Sequence, residues 1–137
     1  MVHALREAHR VIAPDGVVVE ARPAAIHRRV AVQSGKVRRH VGVMRENFHR
    51  ERHADRAVAS AVRAGWFREC AVRSFSCTRT MDTLEDYCTW LGEFYTVTDS
   101  PPHEWLVERI ERALEKAPEG SRIIITAPVT VRLLKKI

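Results

Sequence analysis

The sequence is poor in glycine, lysine and cysteine, and each shortage excludes something. Its six glycines are Gly16, Gly35, Gly42, Gly65, Gly92 and Gly120, and none lies within six residues of another. A glycine-rich ligand loop needs closely spaced glycines so that backbone can approach the bound group, and no such loop can be built here. The three cysteines, Cys70, Cys77 and Cys88, form no C-x-x-C pair, and their odd number argues against a disulfide scaffold. No apolar run approaches the length of a membrane-spanning helix. The first residues, Met1 to Glu7, lack the apolar run of a signal peptide, so the expectation is a reducing, cytoplasmic setting without membrane contact.

What is present is enough for a fold. The 137 residues are 45% hydrophobic and 29% charged, which predicts one domain over 1–137 with a core of its own. Twenty-three basic residues against 17 acidic ones give a net charge of +6, and only Lys36, Lys116, Lys135 and Lys136 among the basic residues are lysine. A basic balance suits a polyanionic partner. Scattered rather than massed arginines suit a solvated surface better.

Hydrophobic spacing gives the element order. Leu5, Ala8, His9 and Ile12 share one helical face, and Ala13-Pro14-Asp15-Gly16 stops that helix. Val17-Val18-Val19 follows as an apolar run without alternation, the pattern of a strand buried on both faces in a parallel sheet. Val30 and Val32, then Val37, Val41 and Val43, predict a hairpin about Ser34-Gly35. Asn47 is placed to cap a helix through about Ala64, with Ala54, Ala57, Val58, Ala61 and Val62 on its apolar face and Gly65 ending it. Trp66 to Thr80 reads as a long strand. Asp82-Thr83-Leu84-Glu85 resembles a capping box opening a helix with the stripe Leu84, Tyr87, Cys88, Leu91, Phe94 and Tyr95. Thr96 to Ser100 reads as a loop, and Ser100-Pro101 as the start of a helix carrying Leu106, Ile110, Ala113, Leu114 and Ala117 inward. A last strand runs from Ile123 to about Leu134, with Pro128 expected to bulge or break it.

The stretch from Ala4 to Val19, with Arg10-Val11-Ile12 leading into Ala13-Pro14-Asp15-Gly16 and then Val17-Val18-Val19, resembles the late helix, turn and fifth strand of class I S-adenosylmethionine-dependent methyltransferases. The later order of helix, strand and last strand is similar to the end of that fold. The resemblance implies an α/β architecture: the C-terminal part of a Rossmann-like sheet, with one parallel strand, an antiparallel last pair, an added hairpin and packed helices. It also implies S-adenosylmethionine as the family's cofactor. The cofactor-binding half lies before the fifth strand in that family, so none is expected to bind this chain alone. Without a fourth strand beside it, Val17–Val19 would present an apolar edge. The expected partners are therefore a second copy of the chain or a separate chain supplying the missing half.

Under the resemblance, Glu20 and Arg22 follow the fifth strand and would look toward the methyl acceptor, where Arg22 could hold an anionic group. The other reading is a strand-end ion pair. Trp90 lies off the Leu84–Leu91 stripe and is the third expected substrate contact, among the aromatic residues Trp66, Phe67, Tyr87, Phe94, Tyr95 and Trp105. His49 and His53 have the i, i+4 spacing of zinc ligands, but Arg50 stands where a metalloprotease has Glu and no third ligand is evident. No metal site and no catalytic residue is assigned. The rival expectation is a non-enzymatic α+β interaction or oligomerisation module. In that case Arg28, Arg29, Arg38 and Arg39 on the hairpin could touch nucleic-acid phosphate; they could also simply keep edge strands soluble.

Overall fold

The computed structural model describes residues 1–97 and 103–137. Nine elements follow in order: α1 (Val2–Val11), β1 (Val17–Pro23), β2 (Arg28–Ser34), β3 (Val37–Met44), α2 (His49–Arg63), β4 (Phe67–Met81), α3 (Leu84–Val97), α4 (Glu104–Glu115) and β5 (Arg122–Lys136). The mixed α/β class expected from the sequence is present, with five strands in one sheet and four helices. The expected Ser100-Pro101 helix start and the end of the Thr96–Ser100 loop fall outside the described residues, while Thr96 and Val97 belong to α3. No described helix is long and apolar enough to cross a membrane.

The chain forms two compact units: Met1–Ala25, Phe48–Phe75 and Pro128–Ile137 in the first, Ile26–Asn47 and Ser76–Ala127 in the second. In the first, α1 and α2 pack together and their apolar faces meet the sheet. Leu5, Ala57, Val58, Ala61, Phe67 and Leu134 form the core, with Val18 half-buried against it. The turn after α1 holds because Gly16 donates its N–H to the Ala13 carbonyl at 2.9 Å. Asp15, not Gly16, takes the left-handed conformation there, with φ 61°. Gly16 is needed for space instead, since a Cβ would sit 2.1 Å from Ile12 Cγ2.

One expectation is corrected in β1. It pairs antiparallel with β5, Val17 opposite Lys135 through Pro23 opposite Val129, so the parallel strand is not found and every described register is antiparallel. Nor is the strand buried on both faces. Val18, opposite Leu134, turns into the core, whereas Val17 is 53% and Val19 is 64% exposed. The run is apolar on both faces, but α1 and α2 cover only one of them.

In the second unit β2 and β3 form the expected hairpin, with Ser34 opposite Val37 around Gly35-Lys36 and Gly35 at φ 57°. A bulge between Val30 and Ala31 breaks the alternation read for β3: Val41 is buried and Val37 is exposed. Val30, Val32, Val41, Met44, Met81, Tyr87, Leu91, Phe94, Leu106, Ile110, Ile123 and Ile125 make this core. Helix α3 is capped one residue later than read. The Thr83 hydroxyl accepts from Asp86 N–H at 3.0 Å, and the Asp86 carboxylate accepts from Thr83 N–H at 3.1 Å. Its buried stripe is centred on Tyr87 and Phe94, which brings Trp90 against the core and leaves Cys88 exposed, the reverse of the reading from the sequence. Pro128 stands where β5 leaves β2 and takes up β1. No ladder bond is lost there, and its carbonyl accepts from Ala24 N–H at 2.9 Å.

Candidate functional site

Glu20 and Arg22 do come together, on the core-facing side of β1 in the first unit. Arg22 Nε lies 2.5 Å from Glu20 Oε1, its Nη2 lies 2.5 Å from Asp55 Oδ1, and its Nη1 donates to the Glu51 carbonyl at 3.2 Å. Arg132, directly across the sheet from Glu20, shares Asp55 at 2.6 Å and lies 3.4 Å from Glu69 and 3.6 Å from Glu20. The side chains of Glu20, Arg22 and Arg132 are 10%, 12% and 17% exposed, so the charges are shielded enough to hold one another in place. Burial pushes the Asp55 carboxyl up, but Arg132 and Arg22 outweigh it and leave its pKa below the ordinary value. Burial also opposes the charge on Arg22, and Asp55 and Glu20 more than offset that. Asp55 and Arg132 were not picked out from the sequence. Their helical and strand positions carry no local signal that they meet β1.

Each guanidinium nitrogen of Arg22 is therefore engaged. It is an ordered part of an ionic cluster at the strand, as the ion-pair reading anticipated, and accepting an outside anion would require displacing Glu20 or Asp55. Trp90 sits in the second unit, half-buried, 5.2 Å from the Phe94 ring and 6.0 Å from the Tyr87 ring, with Arg79 over its face at 5.9 Å. The His49 and His53 rings meet edge to face at 4.9 Å. Among the described residues no group of three or more His, Cys, Asp or Glu side chains is placed to hold a metal.

The second unit holds a groove that the sequence reading did not single out. A cavity of about 650 Å³ is lined by His40, Gly42, Arg45, His103, Trp105 and Arg109 among others. Helix α4 turns Leu106 and Ile110 into the core, which points Trp105, Arg109, Arg112 and Lys116 along one outer face. Gly42 lets that helix lie close to β3, since a Cβ there would sit 2.7 Å from Leu106 Cδ1 and 3.3 Å from Trp105 Cζ3. At its end a second hollow of about 250 Å³ continues along Arg39, His40, Arg109, Arg112 and Lys116. The i, i+4, i+7, i+11 spacing on α4 is the signal that could have revealed this stripe.

His103, 1% exposed, is held at the groove by Tyr95. The Tyr95 hydroxyl accepts the His103 backbone N–H at 2.6 Å and lies 2.9 Å from its Nδ1. The hydroxyl can give its own proton to Nδ1, and in that tautomer the ring proton sits on Nε2. Among the described residues Nε2 has no hydrogen-bond partner. Burial pushes the imidazole pKa down; the Arg45 backbone opposes the shift without reaching hydrogen-bond geometry.

For S-adenosylmethionine the fit is poor. The glycines with left-handed backbone, Gly35, Gly65 and Gly120, each end a different element, and Gly16 and Gly42 are taken up by close packing. No backbone cradle for the cofactor results among the described residues. Comparisons of the chain with family models, curated proteins and solved structures return no match.

Proposed function

We propose that this chain is the acceptor-side, C-terminal region of a class I methyltransferase-like assembly, active only when another polypeptide completes the sheet and supplies the cofactor site. The observation that carries this reading is the half-covered sheet of the first unit. On the face away from α1 and α2, alternation sets Val17, Val19, Ala21 and Pro23 beside Lys135, Leu133, Val131 and Val129. A doubly wound sheet has helices on both faces, and an apolar second face is what such a sheet presents before its other layer is added. The helix, the Pro–Gly turn and the strand support the reading from the sequence side, as does the pairing of β4 with β5. In this assembly the carboxyl end of β1 faces the acceptor, with Glu20 and Arg22 set in position by Asp55.

Sedimentation of the full chain tests the proposal together with calorimetry. The expected result is association of the chain with itself or with a partner chain, lost in Val19→Lys, and no heat on adding S-adenosylmethionine to the chain alone. A monomer at every concentration with no partner, or micromolar cofactor binding by the isolated chain, overturns it.

A further inference from the structure

We propose that the groove between β3 and α4 in the second unit binds single-stranded nucleic acid, with Trp105 stacking on a base and the flanking cations tracking the phosphates. This inference stands apart from the methyltransferase reading and uses none of its residues. Neither hollow of the groove is lined by a carboxylate, although α4 itself carries Glu104, Glu108, Glu111 and Glu115. Helical spacing explains the separation. The acids fall on one stripe of α4, and Arg109, Arg112 and Lys116 fall on the stripe next to it, facing Arg39 and His40.

The stripe is long enough for a short single strand. From Trp105 to Lys116 it spans roughly 16 Å at the helical rise, the reach of two or three phosphates. Trp105 is 43% exposed, a high value for a residue that dominates cores elsewhere, and Arg109 lies over its ring at 5.8 Å. A flat ring beside evenly spaced cations is the arrangement that holds a single strand without reading its sequence. Among the described residues Arg39, Arg45 and Arg109 make no ion pair, so their charge is available; Arg112 is shared with Glu108 at 3.1 Å. The second, independent observation is His103. Among the described residues its buried Nε2 has no hydrogen-bond partner, and His103 lines the same groove; in the tautomer that protonates Nε2, its N–H suits a phosphate or base oxygen.

Fluorescence anisotropy with a labelled twelve-nucleotide single strand of mixed sequence tests the assignment on the full chain. The logarithm of affinity should fall with the logarithm of salt with a slope of about −2, as expected for three neutralised phosphates. Arg109→Ala should weaken binding several-fold and flatten the slope by about 0.7. Trp105→Ala should cost about tenfold or more, with the fold checked by circular dichroism. Arg109 is exposed, so its variant keeps the test decisive if Trp105→Ala unfolds. Arg63→Ala, on α2 of the first unit, should change nothing. The assignment is overturned by absent binding, by equal loss in Arg63→Ala and Arg109→Ala, or by equal affinity for a duplex or a mononucleotide.

Discussion

Strand β5 has a different character in each unit. Within the second, Ile123, Ile124 and Ile125 are each 4% exposed or less, and Val30, Ala31 and Val32 of β2 beside them are buried too. Within the first, its residues are mostly half-buried and only Leu134 is fully enclosed. The cores differ in the same sense. Three of the six residues closing the first are alanine or valine from α2, whereas the second is filled by Tyr87, Phe94, Met44, Leu106 and Ile110. The charges are arranged differently too. The first unit gathers Glu20, Arg22, Asp55 and Arg132 in one ionic cluster; the second has a shielded Arg28–Glu46 pair and leaves Arg39, Arg45 and Arg109 on the rim of a groove. Large side chains let the second unit enclose its sheet from its own sequence. The first relies on small-residue contact, on ion pairs and on a covering that the described residues do not provide.

That contrast can be broken by substitution. The largest effect is expected from Leu106→Ala, which empties a fully buried position where helix and hairpin meet. Urea unfolding should show a loss of about 3 kcal/mol. A loss under about 1 kcal/mol would mean that the second core is looser than its enclosure implies.

Asp55→Ala is next. It leaves Arg22 and Arg132 with Glu20 as their remaining shared carboxylate. Breaking a well-buried pair costs more, but Asp55 is 43% exposed, and solvent screening brings the expected loss to about 1–2 kcal/mol. An unchanged unfolding midpoint would show that the cluster holds geometry without adding stability.

The smallest effect is a difference in pH response. The Asp55 carboxyl titrates below its ordinary value of 3.8 in the folded chain, so its contribution is full above that value and disappears as pH falls through the lower folded value. His103 titrates below its ordinary value of 6.5, so the folded chain resists its protonation. Stability is full above 6.5, declines as pH falls below it, and levels off once the folded imidazole is charged. The second unit should therefore weaken at a higher pH than the first. Unfolding midpoints measured from pH 8 to pH 3 should show two steps, and His103→Gln should remove the upper one.

Much of this organisation is legible in the sequence, because helical periodicity and turn residues act locally. The turn before Val17, the hairpin, the alanine face of α2 and the inward face of α4 all follow from spacing. What was not legible depends on distant partners. No local pattern says that Glu20 meets Arg132 and Asp55, or that a bulge re-phases Val41. The three valines of β1 read as a strand buried on both faces, yet only Val18 is covered, because covering a face is a tertiary matter. On α3 a shift of the stripe by part of a turn exchanged the fates of Cys88 and Trp90. The basic stripe of α4 could have been counted from the sequence; Gly42, which lets it approach β3, could not.

The joining of both units by β5 also orders events in time. Helices and the β2–β3 hairpin close over short stretches of chain and form fast. The bonds of β5 reach far back, as from Lys136 to the Ile12 carbonyl, 124 positions away. Each core lacks a wall until that strand arrives, since Leu134 completes one and Ile123 with Ile125 the other. Its docking is the slow event that both units await. A substitution that weakens only β5 pairing should retard the folding of the two together, while their helices form at the usual rate.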